Sequence, residues 1–262
     1  MRMKLGCSTL LFGGYDFDTA IAGISEAGYE AVELGAIPGM GDHLRPGEEP
    51  GVYEAMRAKL AAAGLALESV GCSGVLGSSR LAPLMAAAAL LGAPYMTLGT
   101  GGAADDEDSW QQVLAQVRAA LPVCEQTGVK LSVKPHVRSA VYSVATARRF
   151  IAELQSEWVG LNLDNTHLQR VGEDPIRAVQ ELAEWIFTAR IRDYQSDDLS
   201  IGPLENQVPG KGKADVRGYY EALTGVPGLQ YIVVEMVGTR DLALGDVQRV
   251  VGEAFVALKS YG

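Results

Sequence analysis

Short apolar, β-branched runs alternate with amphipathic stretches of helical period along the whole chain. "MKLGCST" (3–9) predicts the first strand, and after it Phe17, Ile21, Ile24 and Ala27 fall on one helical face with Asp16 or Asp18 as N-cap. "EAVELGA" (30–36) predicts the second strand, and its helix carries Tyr53, Met56 and Leu60 and stops at Gly64, a C′ glycine. "LALESVG" (65–71) is the third strand, with a helix through "LAPLMAAAALLG". "YMTLGT" (95–100) is the fourth, and "DDED" opens the following helix, where acids favour the positive end of the dipole. "VKLSVKP" (129–135), "VGLNLDN" (159–165), "IFTARIRD" (186–193) and "LQYIVVEMVG" (229–238) predict strands five to eight. Val247, Val250, Val251 and Ala254 mark the closing helix.

Strand starts recur at roughly 30 residues, the length of one strand-helix unit. Eight such units point to an α/β fold, a (β/α)₈ TIM barrel, over a single domain spanning 1–262. A doubly wound open sheet is the competing arrangement, but "GCSTLLFGG" after the first strand lacks its GxGxxG fingerprint.

Composition narrows the picture further. A hydrophobic content of 48% over 262 residues supports one large core. The longest apolar stretch, near Leu81–Leu91, is too short to span a bilayer and contains Pro83. "MRMK" leads straight into a strand rather than a signal-peptide apolar run, so a cytoplasmic location and no membrane partner are expected. Cys7, Cys72 and Cys124 are scattered and show no CxxC spacing, which argues against disulfides and zinc. The net charge of −10 argues against a nucleic-acid partner.

In a barrel of this kind the chemistry sits at the carboxyl ends of the strands. The residues there are Glu33, Glu68, Lys134, His136, Asp164, His167, Arg190, Arg192, Asp193 and Glu235. Charged groups in so apolar a setting should pair or serve chemistry. Lys211 in "PGKGK" reads as an anion-binding loop or as a solvated turn. The long loop "PGMGDHLRPGEEPG" reads as a lid from which His43 or Arg45 could touch substrate.

"VGLNLDNTHLQRVGEDPIRAVQEL", "VPGKGKADVRGYYEAL" and "VVEMVG" resemble the xylose isomerase-like barrels, a family of sugar isomerases and epimerases, inosose dehydratases and apurinic endonuclease relatives. That resemblance implies a divalent metal held by a glutamate, an aspartate, a histidine and a glutamate on strands five to eight. Asp164 and Glu235 match two of these positions. The other two carry Lys134, within Lys134-Pro135-His136, and Arg190, within Arg190-Ile191-Arg192-Asp193. Neither an ammonium nor a guanidinium offers a metal a lone pair.

The expectation is therefore a sugar isomerase or epimerase acting on a small polyol, keto sugar or sugar acid by proton transfer next to a carbonyl, without the metal. Lys134 and Arg190 would replace it, pairing with Asp164 and Glu235. Glu235 serves as base, Asp164 or His167 returns the proton, and Arg190, His136, Arg192, Lys211 and Glu33 bind substrate. Rival readings are a catalytically silent ligand-binding or partner barrel, a Schiff-base lyase using Lys134, and Mn²⁺ or Mg²⁺ held by Asp164 and Glu235. A homo-oligomer is left open.

Overall fold

In the computed structural model, which describes residues 3–196 and 199–262, eight parallel strands close on themselves. They are β1 (Lys4–Ser8), β2 (Ala31–Ile37), β3 (Ala66–Gly71), β4 (Tyr95–Gly99), β5 (Lys130–Lys134), β6 (Val159–Asp164), β7 (Ile186–Ile191) and β8 (Tyr231–Val234). Each pairs with its neighbours in sequence, and β1 closes the ring by pairing Gly6 with Ala31 on β2 and Cys7 with Val234 on β8. The chain is thus a (β/α)₈ TIM barrel, not an open sheet.

The outer helices are α1 (Phe17–Glu26), α2 (Pro50–Ala62), α3 (Leu81–Leu91), α4 (Glu107–Thr127), α5 (Val144–Leu154), α6 (Asn165–Gln169), α7 (Pro175–Leu182), α8 (Val216–Thr224) and α9 (Leu244–Lys259). Their starts follow from local chemistry. Asp16 accepts from the Thr19 amide to cap α1, Asp106 from the Ser109 amide to cap α4, and Ser143 and Thr146 form a reciprocal capping box on α5. Gly64 adopts φ +70, as a C′ glycine must. The three cysteines are free and buried.

Bonds between strands that are not neighbours must cross the barrel interior, so they identify the inward side chains. Ser132 on β5 meets Thr188 on β7 at 2.8 Å, and the buried Asn162 lies on the strand between them. Two residues further along, Lys134, Asp164 and Arg190 form the next layer toward the mouth. The barrel is apolar outside, where its strands meet the helices, and polar at the carboxyl end of its interior.

Three local expectations differ from the structure. Strand eight is shorter than the apolar run, because Glu235 turns inward to pair with Lys134 and the chain leaves the ladder there. A one-turn helix, α6, follows β6 directly because Asp164 caps it through the Thr166 amide. The loop after β2 is folded back rather than free: Gly41 and Asp42 pair antiparallel with Ile37 and Ala36. Glycine is required where that loop crosses the one after β1, since a methyl group on Gly13 would overlap the carbonyl oxygen of Met40.

Two glycines should therefore respond oppositely to alanine. Gly13→Ala is expected to lower stability by about 2 kcal/mol or more. Gly252→Ala, inside α9 with open space around its Cα, should raise it by about 0.5–1 kcal/mol. Urea midpoints at unchanged slope measure both.

Candidate active site

Lys134 is the last residue of β5, and Pro135 ends the ladder behind it. Its Nζ donates to Glu235 Oε1 at 2.8 Å and Oε2 at 2.9 Å, and to Asp164 Oδ2 at 3.4 Å. An ammonium has three N–H donors, so this one is fully used by carboxylates. Burying a lone charge costs several kcal/mol, and only such pairing makes a lysine tenable at 9% exposure.

Arg190 pairs with Glu235 as expected but takes its hydrogen bonds elsewhere. It is entirely buried and reaches across the interior to β2 and β3, with Nη2 donating to Glu33 Oε1 at 2.6 Å, to Glu68 Oε2 at 3.2 Å and to Ser69 Oγ at 2.9 Å. Its Nε lies 3.6 Å from Glu235 Oε2. Asp164 is paired by Arg192 instead, whose Nη2 donates to Oδ2 at 3.1 Å while its Nε donates to Thr166 Oγ1 at 2.9 Å. The reason is occupancy: both Glu235 oxygens are held by Lys134, whereas Glu33 and Glu68 present free acceptors to a guanidinium.

Thr166 and Asn165 were not singled out in the sequence. Thr166 donates its amide and hydroxyl to Asp164 Oδ1 at 3.0 and 2.7 Å, and Asn165 exchanges hydrogen bonds with the Arg192 backbone. The signal was present in "DNTH", an aspartate placed to cap its own helix.

The carboxylates respond to these charges. Burial works to raise Glu33 and Asp164, but Arg190 and Lys134 hold Glu33 below the ordinary carboxylate range, and Arg192 and Lys134 hold Asp164 well below it. Glu68 is raised because burial outweighs the attraction of Arg190, with a smaller repulsion from Glu33 adding to the rise.

Above this layer lies a cavity of about 300 Å³. Glu33, Lys134, His136, His167, Arg192 and Glu235 line it, with Leu10, Ile37 and Met40 as apolar walls. Arg170, one turn beyond β6, lines it too and went unnoticed in the sequence. Asp164 and Arg190 lie behind the lining residues, without reaching the cavity.

His136 Nδ1 lies 2.9 Å from the Val137 carbonyl oxygen, so it carries the proton and leaves Nε2 a lone pair. His167 Nε2 faces Arg192 Nη2 at 3.4 Å, a donor only, which puts its proton on the unpartnered Nδ1. The rings stand 4.0 Å apart at 37°. Burial above all, aided by the nearby cations, keeps His167 well below its ordinary range, and burial likewise lowers His136.

Three other sequence candidates lie elsewhere. Lys211 pairs with Glu253 on α9 and is exposed, away from the cavity. Its loop is organised around Asp193, which accepts from the amides of Tyr194, Gly210 and Ala214 at 2.7, 2.8 and 3.0 Å; it wraps a carboxylate supplied by the segment just after β7 rather than an external anion. His43 is turned to the Tyr15 carbonyl and Arg45 to Asp42, so neither reaches the cavity. Both line a wider depression of about 610 Å³ between the β1 and β2 loops. That depression is larger, but it contains none of the strand-end charges, so the smaller cavity is the candidate site.

The donor set does not fit the divalent metal implied by the sequence resemblance. Two of its four positions carry cations, and the Lys134 ammonium lies where the remaining carboxylates, Asp164 and Glu235, converge. A dication there would be repelled by Lys134, Arg190 and Arg192 at short range. Among the described residues, no group of three or more His, Cys, Asp or Glu side chains is arranged to hold a metal ion.

No curated protein sequence matches this chain. Solved structures share its fold at low identity. The IOLI protein described with a binding zinc atom superposes with TM-score 0.79 at 17% identity, covering 99% of both chains. The probable 3-DHS dehydratase AsbF from Bacillus anthracis gives 0.76 at 16%, covering 95% of this chain and 97% of its own. The 3-keto-D-glucoside 4-epimerase YcjR from E. coli gives 0.72 at 17%, covering 99% and 100%. The family model for the xylose isomerase-like TIM barrel matches residues 21–254, nearly the whole ring of strands, and the chain belongs to that family.

Proposed function

We infer that this protein is a sugar isomerase or epimerase-like enzyme that moves a proton next to a carbonyl of a small polyol, keto sugar or sugar acid, and does so without a divalent metal. The observation that carries the reading is the Lys134 ammonium, fixed at 2.8 and 2.9 Å from both oxygens of Glu235 at the edge of a cavity that also holds two neutral imidazoles.

In this reading Glu235 takes the proton from the carbon beside the carbonyl. The electron pair of that C–H bond passes into an enediolate, whose oxygen becomes negative as the bond breaks. Lys134 supplies positive charge where that oxygen forms, the contribution relatives obtain from metal. The proton then returns to the neighbouring carbon from Glu235 itself, because His167 is neutral with its one proton on the buried Nδ1, and Asp164 is fully engaged by Thr166, Arg192 and Lys134. Asp164 and Arg190 are positioning residues that hold Arg192, Lys134 and Glu33. A Schiff-base role for Lys134 is disfavoured, since its three donors are engaged by carboxylate oxygens of Glu235 and Asp164, which hold Nζ in place and leave it no open approach to a carbonyl carbon.

One observation favours a non-catalytic ligand-binding barrel as the second reading: both oxygens of the base are already hydrogen-bonded. Proton NMR in heavy water separates the two. Catalysis predicts exchange of an α-proton in at least one sugar or sugar acid, slowed about 100-fold or more in Glu235→Gln. A ligand that protects the fold and shows no exchange would establish the second reading.

Lys134→Met leaves Asp164 and Glu235 facing each other without their shared cation, and should cost about 3–5 kcal/mol at neutral pH. Asp164 is held below its unfolded value partly by this ammonium. That share of stability is present above the unfolded pKa and is lost as pH falls through about 4 toward the folded value. The gap between wild type and variant should therefore narrow in acid, as denaturant titrations at neutral pH and at pH of about 4 would show.

A further inference from the structure

The cations of the site pair off unevenly. Lys134 is taken by Glu235, Arg190 by Glu33 and Glu68, and Arg192 by Asp164. Arg170 makes no ion pair among the described residues; its Nε and Nη2 donate only to the Leu199 carbonyl oxygen. It is half-buried, lines the cavity, and lies close enough to Arg192 for the two charges to repel. Each guanidinium also keeps one Nη1 without a hydrogen bond among the described residues. In a chain of net charge −10, an unmatched positive charge inside a cavity has a cost that a bound anion would remove.

The opposite wall asks for the opposite chemistry. Glu33 lies on β2, four strands from β6 around the closed ring, so it faces Arg170 and Arg192 across the cavity. Its Oε1 accepts from Arg190 and Thr97, but Oε2 is buried with no hydrogen-bond partner. A buried carboxylate oxygen accepts only, and a hydroxyl donor is what would satisfy it.

We propose that the cavity is built for a small hydroxy acid, its carboxylate held by Arg170 and Arg192 and a distal hydroxyl donating to Glu33. Arginine matches the planar two-oxygen carboxylate. One positive charge unmatched among the described residues suits a monoanion, whereas a phosphate dianion would add a second negative charge beside Glu33 and Glu235. A space of about 300 Å³ holds a five- or six-carbon acid. This narrows the substrate of the proton-transfer reading above and rests on it for the identity of the site.

Isothermal titration calorimetry with twins differing in one carboxylate tests the proposal: D-gluconate and D-glucitol, D-glucuronate and D-glucose, D-arabinonate and D-arabinitol, with a sugar phosphate as control. At least one acid should bind about tenfold or more tighter than its neutral twin, and Arg170→Gln should abolish that preference. Arg170 is half-buried and bonds one carbonyl, so the variant should fold with a melting temperature close to wild type. The proposal is overturned if no acid outbinds its twin, if the preference survives Arg170→Gln, or if the sugar phosphate binds more tightly than the acids. Acid binding without isotope exchange would leave the site standing and remove the catalytic reading instead.

Discussion

Everything at the mouth of this barrel depends on how its buried charges are neutralised. A carboxylate or ammonium withdrawn from water costs several kcal/mol unless opposite charge and hydrogen bonds meet it at short range. Lys134 meets Glu235 and Asp164, Arg192 completes Asp164, and Arg190 spans the interior to Glu33 and Glu68. Each cation comes from β5 or β7 or the residues just after, and each carboxylate from β2, β3, β6 or the end of β8. The charge network therefore ties together strands that share no backbone ladder, and it holds the cavity floor rigid beneath whatever binds there.

The same arrangement bears on chemistry. A metal would supply a concentrated positive charge and fix substrate oxygens. An ammonium on a four-carbon stem supplies charge and three donors, without vacant coordination positions. Here those donors are used by the protein, so toward a bound molecule the ammonium would act through its field more than through direct bonds. The free hydrogen-bonding capacity of the cavity lies with Arg170, Arg192, Glu33 Oε2 and His136 Nε2.

The barrel was legible in the sequence because its cause is local: period-two apolar runs, capped helices and glycine stops, repeated eight times. Lys134, Asp164 and Glu235 were legible because strand ends can be read from those runs. The partner of Arg190 was not, since a side chain that crosses the interior can reach any strand, and only the closed ring shows that Glu33 and Glu68 lie within its span. Arg170 was missed for a related reason: it sits on an irregular turn after α6, outside any periodic pattern. Lys211 misled because "PGKGK" looks like an anion loop, while the carboxylate it encloses, Asp193, comes from another part of the chain.

The central claim is that the Lys134 ammonium stands in place of a divalent cation between Asp164 and Glu235. Elemental analysis of protein purified without chelator and dialysed exhaustively tests it most directly. The account predicts no divalent metal retained near one equivalent, and gain of such retention when Lys134→Glu and Arg190→His restore ligand side chains. One equivalent of tightly held metal in the unaltered protein would contradict it.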